Sequence, residues 1–132
     1  MSTTVLLDTG GLEAWSRRHP PSEVLAVMEV IRTSRSSRVT VPSVVLVETL
    51  TGSPGDAPID QTLHDLFVET LLPVAHARHA ARIRQGTRAS AVDAVVAEAA
   101  ARHGANCVLT SDPGDLTSLL EWANAGAVVV AV

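Results

Sequence analysis

Residues 106–122, NCVLTSDPGDLTSLLEW, contain a complete strand, turn and helix. Asn106 to Thr110 is a short apolar run of the kind a buried strand needs, and Asp112-Pro113 places a capping acid before proline at the first helical position. Pro113 to Trp122 then reads as a short helix. Working outward, the same alternation recurs. Thr4 to Leu7 predicts a strand, followed by a helix carrying Leu12 and Trp15 that ends near His19-Pro20-Pro21. Ser22 is expected to cap a second helix, with Val24, Leu25, Val27, Met28 and Ile31 at helical spacing, and Val39 to Val41 is expected to form the next strand. A helix over Val44 to Leu50 closes at Gly52, and Gly52 to Pro58 is the only obvious flexible loop. Ile59 to Val68 reads as helix, Thr70 to Val74 as a third strand and His76 to Thr87 as a basic helix. An alanine-rich helix opens at Ser90 and runs through Ala101, and Ala127 to Val132 is a last strand. Strands separated by helices throughout specify parallel pairing with right-handed crossovers. The expected fold is α/β, a three-layer α/β/α sandwich around a five-stranded parallel sheet, in a single domain spanning 1–132.

Composition narrows the function. The chain is 46% hydrophobic but only 2% aromatic, so its core is aliphatic and offers little for base stacking. Its one cysteine, Cys107, cannot form an intramolecular disulfide and reads as a small buried hydrophobe, which suits a reducing cytoplasm. There is no basic, apolar leader and no run near the ~20 apolar residues that span a bilayer, so the expected location is cytoplasmic, away from the membrane. All 10 basic residues are arginine and the net charge is −4, so any contact with nucleic acid has to be local.

Four acids stand where a parallel sheet would gather them: Asp8 after the first strand, Glu48 inside an apolar helix, Asp93 opening the alanine-rich helix and Asp112 after Val108-Leu109-Thr110. Each has an ordinary reading. Asp8 and Asp112 suit helix caps, and Asp93, three residues after Ser90, suits a capping box. Glu48 is harder to explain, because glutamate in an apolar stretch is rarely buried without a partner or a metal. Two carboxylates about 4 Å apart repel by about 4 kcal/mol at an effective dielectric near 20. Mg2+ or Mn2+ would offset that repulsion, since both take oxygen ligands and leave room for a substrate phosphate, which points to phosphodiester hydrolysis.

The pattern Leu7-Asp8-Thr9, Glu48-Thr49-Leu50-Thr51-Gly52, Asp93-Ala94-Val95-Val96-Ala97 and Thr110-Ser111-Asp112 resembles the PIN-domain ribonucleases of the VapC toxin type over nearly the whole chain. The resemblance implies that Asp8, Glu48, Asp93 and Asp112 are catalytic and bind Mg2+ or Mn2+. Asp8 and Asp93 would be the direct ligands, Glu48 would bind or orient a metal water, and Asp112 would complete a second-metal side. Thr9 and Thr110 would support the carboxylates. The resemblance further implies cleavage of a structured RNA such as tRNA or rRNA, inhibition of translation, a homodimer and a cognate VapB-like antitoxin. The chain departs from the family at Gly10, where a small hydroxyl or amide residue is common, and at Leu116, where an aromatic is common. Asp115 adds a carboxylate that either reaches the metal edge or favours the helix N-terminus.

Arg78, Arg82, Arg84 and Arg88 precede the Asp93 helix, and Arg82, Arg84 and Arg88 are candidate contacts for RNA phosphate against the plainer reading of a solvated face. Arg32, Arg35 and Arg38 have a weaker claim. His76 and His79 have an i, i+3 spacing with no nearby histidine or cysteine to complete a metal set, so they read as surface residues, and His103 has no assigned role. Trp15, Val24, Leu25, Met28 and Ile31 are core residues, with one or two left for an interface. Haloacid-dehalogenase-like phosphatases and response-regulator receivers share the layout but need a lysine, which this chain lacks. The remaining alternative is a catalytically silent PIN-like module that binds RNA or protein.

Overall fold

The computed structural model describes residues 2–132. Strands β1 (Ser2–Leu7), β2 (Ser36–Pro42), β3 (Phe67–Glu69), β4 (Cys107–Thr110) and β5 (Val128–Ala131) form one parallel sheet in the order β3-β2-β1-β4-β5. Between them run α1 (Thr9–Trp15), α2 (Ser22–Thr33), α3 (Val45–Thr49), α4 (Ala57–Leu63), α5 (Val74–Thr87), α6 (Ala91–His103) and α7 (Pro113–Trp122), with a 3-10 turn at Pro54–Asp56. Strand order runs outward one way from β1 to β3, then crosses back to β4 and β5. Right-handed crossovers therefore put α1 to α4 on one face and α5 to α7 on the other. The reversal lies between β1 and β4, and in such sheets the crevice opens beyond the carboxyl ends of these two strands. This is the three-layer α/β/α sandwich with a five-stranded parallel sheet expected from the sequence.

Val5, Leu6, Leu7, Val41, Val108 and Leu109 are fully buried, as strands covered on both faces require. α6 is the central helix of its layer: Ala94, Val96, Ala97, Ala99 and Ala100 are all buried, and their small side chains let it lie close over β1 and β2. Of the candidate interface residues, Val24 is buried and Trp15, Met28 and Ile31 pack against the core, leaving Leu25 exposed.

The structure corrects several local expectations. The helix expected to continue to Val68 stops at Leu63, and the third strand is Phe67–Glu69 rather than Thr70 to Val74. Phe67 and Val68 find partners in Thr40 and Val41 at the edge of β2, whereas Pro73 has no N–H to donate to a ladder and instead precedes α5. Ser22 does not cap α2. Pro21 holds the cap position, and the Ser22 hydroxyl donates to Glu23 at 3.1 Å. The Gly52 to Pro58 segment is pinned: the Asp56 carboxylate accepts from Thr51 N at 3.0 Å, Thr51 Oγ1 at 2.8 Å and Gly52 N at 2.7 Å. These bonds, that from Thr51 N foremost, lower the Asp56 pKa.

A partly buried ionic network missed by sequence reading, centred on the buried Glu98, ties the α5 and α6 layer to β3. Arg102 donates through Nε to both oxygens of Glu98 at 3.1 and 3.0 Å, and through Nη1 and Nη2 to Glu69 at 3.1 and 2.6 Å. His103 also bonds Glu69. The Glu98 side chain is 1% exposed, and His76 Nδ1 and His79 Nδ1 stand 3.8 and 4.0 Å from its Oε2. Those two histidines therefore face a buried acid from the rim of α5, and His103 acquires a partner. Glu98 and Arg102 sit four residues apart on one helix, a spacing that marks an ion pair but not its burial.

Thr40, on the same face of β2 as Arg38, is fully buried, and among the described residues its Oγ1 has no hydrogen-bond partner. Thr40→Val keeps the shape and removes an unsatisfied hydroxyl, so it is expected to raise stability by about 1 kcal/mol in thermal or urea unfolding.

Candidate functional site

At the end of β1, Asp8 occupies the N-cap of α1 and its Oδ1 accepts from Gly11 N at 2.8 Å. Its own N–H donates to Leu109 O at 3.3 Å, which ties the turn to β4. α1 can start so close to β4 because residue 11 is glycine: a Cβ there would collide with the Leu109 carbonyl oxygen and lie 2.9 Å from its carbon. Thr110, buried at the end of β4, accepts from Asp112 N at 3.0 Å and its hydroxyl also stabilises the Asp8 carboxylate. One threonine thus links the two acids that follow the two strands flanking the crevice.

Glu48 is exposed, contrary to the burial expected for it. α3 has five residues, and its buried positions are Val45 and Thr49, so Glu48 points outward on a helix too short for its sequence pattern to settle the face. It still joins the site: Thr9 Oγ1, on the first turn of α1, donates to Glu48 Oε1 at 2.7 Å. The Asp56-pinned turn follows α3 directly and fixes the end of the helix that carries Glu48.

Asp93 lies in the first turn of α6, with its N–H donating to Ser90 Oγ at 3.1 Å. Burial raises its pKa, opposed by the Ser90 hydrogen bond, and the charges of Glu48, Asp112 and Asp115 raise it further. Burial likewise raises the Asp8 pKa against the bonds from Thr110 and Gly11, and Asp93 adds to the rise. Asp112 holds the cap position of α7 but makes no side-chain cap bond, so the capping role does not occupy its carboxylate. Asp115 is exposed on the first turn of α7. Leu116, at the position where an aromatic is common, is buried in the core.

Gly10 has a local cause. A Cβ there would run into Ser111 Oγ and come within 2.6 Å of Ser111 Cβ and 2.9 Å of its backbone nitrogen. Gly10→Ser is therefore expected to push the Ser111-Asp112 segment outward, cost about 1–3 kcal/mol in thermal unfolding, and be partly rescued by Ser111→Gly in the same chain.

A cavity of about 370 Å³ opens beside Asp93, lined by Thr87, Arg88, Ala89, Ser90, Asp115, Ser118 and Leu119. A larger one, about 680 Å³, lies between Arg17 and Arg18 after α1 and the Pro58 to Asp65 segment, away from the acids. The smaller cavity is the one next to chemistry. The candidate arginines Arg82, Arg84 and Arg88 are all exposed, and of the three only Arg88, at the end of α5, lines this cavity.

Among the described residues, no three carboxylate, imidazole or thiol groups close tightly enough to hold a cation as they stand. The donor set nonetheless fits a hard divalent ion: it is all oxygen, the charges of Glu48 and Asp112 raise the proton affinity of Asp93 and that of Asp93 raises the proton affinity of Asp8, and Asp112 has no capping bond.

Residues 5–116 match the family model described as PIN domain. Two solved structures are similar in fold. PAE2754 from Pyrobaculum aerophilum has a TM-score of 0.64 at 14% identity, with 97% of this chain and 90% of that one covered. FitAcB from Neisseria gonorrhoeae has a TM-score of 0.54 at 18% identity, with 95% of each chain covered. No curated protein matches in sequence. A family model that spans β1 to the start of α7, over a sheet whose switch point gathers Asp8, Glu48, Asp93 and Asp112 from four separate segments, establishes that the chain belongs to the PIN domain family.

Proposed function

We propose that this chain is a Mg2+- or Mn2+-dependent endoribonuclease, the toxin of a type II toxin–antitoxin pair, which cleaves structured RNA such as tRNA or rRNA and so inhibits translation. The observation that carries the reading is the convergence of acids at the switch point: Thr9 bonds Glu48, Thr110 bonds the Asp112 backbone and the Asp8 carboxylate, and the charges of Glu48 and Asp112 act on Asp93, whose charge acts on Asp8. Membership of the PIN family supports nuclease chemistry.

Asp8 and Asp93 would hold the metal directly, Asp112 would complete the open side, and Glu48 would bind or orient a water. Bound Mg2+ or Mn2+ supplies neutralisation of phosphoryl charge and a lowered pKa for coordinated water. The chain's own residues do the rest. Thr9 fixes the Glu48 carboxylate as an acceptor for a proton of the attacking water. Thr110 holds Asp8 and the Asp112 backbone in a common frame. Among the described residues Arg82, Arg84 and Arg88 form no ion pair, which leaves them free to neutralise RNA phosphates. Asp115 would tune the field at Asp93.

A homodimer and a VapB-like antitoxin need apolar surface, which the exposed Val47 on α3, Leu71 and Leu72 after β3, Val74 at the start of α5, and Leu25 and Val30 on α2 provide. No helix among the described residues is long and apolar enough to cross a membrane, and the proposed setting is a single domain over 1–132 in the cytoplasm. The test is to incubate antitoxin-free protein with total bacterial RNA and Mg2+ or Mn2+, beside Asp8→Asn and EDTA controls, and map new ends. Discrete cuts that need both the metal and Asp8 are expected. Metal binding without cuts would replace this reading with a silent binding module.

A further inference from the structure

We propose that the cavity beside Asp93 seats one nucleotide of the substrate, with Arg88 holding its phosphate and Asp115 and Ser118 facing its sugar or base. The proposal rests on the nuclease reading and specifies a substrate position within it. Of the four arginines from Arg78 to Arg88, Arg88 is the one that lines this cavity, and among the described residues it makes no ion pair although Asp93 and Asp115 line the same walls. A guanidinium beside carboxylates that it does not neutralise is available to a ligand anion, and its planar fork suits phosphate.

Its backbone is also unusual. Arg88 ends α5 in the left-handed region at φ 60 and ψ 24. At the end of α6 the same conformation is taken by Gly104, the residue type that adopts it without strain. Stability alone would favour glycine at both ends. An arginine at the first puts a charged side chain on the cavity wall at a conformational cost.

Asp115 and Ser118 are one turn apart on α7 and present an acceptor and a hydroxyl to the same space. The volume of about 370 Å³ is at the small end of the roughly 300–1,000 Å³ typical of ligand pockets, enough for a single nucleotide and too small for a duplex.

The intact chain is titrated with the common nucleoside 5′-monophosphates and, separately, with inorganic phosphate, following backbone amides by NMR. Nucleotides are expected to shift Arg88, Ser90 and Ser118. Arg88→Gly is expected to weaken binding about tenfold or more while melting no lower than the parent, with Arg35→Gln as an unaffected control. Shifts confined to other surfaces, undiminished binding by Arg88→Gly, or phosphate binding as tightly as any nucleotide would overturn the proposal. RNA cleavage measured in parallel separates the two readings. An unchanged kcat/KM in Arg88→Gly removes the seat and leaves the nuclease, whereas nucleotide binding at Arg88 with no cleavage removes the nuclease and leaves the seat.

Discussion

Asp93→Asn is expected to lower metal-dependent RNA cleavage by roughly 10³-fold while making the metal-free protein slightly more stable. The loss follows from removing one direct ligand: several kcal/mol of transition-state stabilisation depend on a correctly held metal, and each 1.36 kcal/mol is tenfold in rate. The gain follows from electrostatics. Burial and the charges of Glu48, Asp112 and Asp115 raise the Asp93 pKa, so its ionised form opposes the fold. Asp93 and Asp8 both bind their protons more tightly folded than unfolded. Their contribution favours folding below the unfolded carboxylate pKa and is lost as pH rises through the raised folded values.

An asparagine side chain at this position cannot ionise, so the variant escapes that loss at neutral pH. The carboxylate is half-exposed and solvent screens it, which holds the expected gain to a few tenths of a kcal/mol and at most about 1. The Ser90 cap survives because it accepts from the backbone N–H of residue 93. Melting curves from acid to neutral pH, with and without Mn2+, check both halves. The parent should gain stability from the cation and the variant should not. Parent-like cleavage would take Asp93 out of the machinery, and a lower melting temperature at neutral pH would make its carboxylate a structural group.

Arg102→Met is expected to cost about 3–5 kcal/mol, the largest stability loss from any single side chain outside the apolar core. Arg102 is the shared partner of two acids, Glu98 at 1% side-chain exposure and Glu69 at 13%. Methionine fills similar space but leaves the Glu98 charge buried, with the His76 and His79 rings, at 3.8 and 4.0 Å, as its remaining ionisable partners among the described residues. The pH dependence has a definite sign. Arg102 is the main cause that lowers the Glu69 pKa, so the pair stabilises the fold above the unfolded glutamate pKa and loses that contribution as pH falls through the folded value. The gap between parent and variant in urea unfolding should therefore be widest near neutrality and narrow in acid. Adding Glu98→Gln to Arg102→Met should recover part of the loss, because the buried charge is gone. No recovery would mean that the network contributes packing rather than charge compensation.

The sequence by itself determined the alternation of strands and helices, the parallel sheet, and the placement of Asp8, Asp93 and Asp112 at element boundaries. The element boundaries rest on local signals: apolar runs, an acid followed by proline at the first helical position, and serine three residues before an acid act within one turn of chain. Tertiary structure decided the rest. β3 is three residues long and exists because the edge of β2 offers it a ladder, which no property of Phe67 to Glu69 alone reveals. Glu48 sits outside a five-residue helix, and it is the Thr9 hydroxyl, 39 positions away, that joins it to the acids. Gly10 answers to Ser111 across the switch point, and Glu69 answers to Arg102 across the layer above the sheet. In each case the deciding partner is remote in sequence: adjacent parallel strands bring Phe67 to β2 and Thr9 to Glu48, and the reversal of strand order between β1 and β4 brings Gly10 to Ser111.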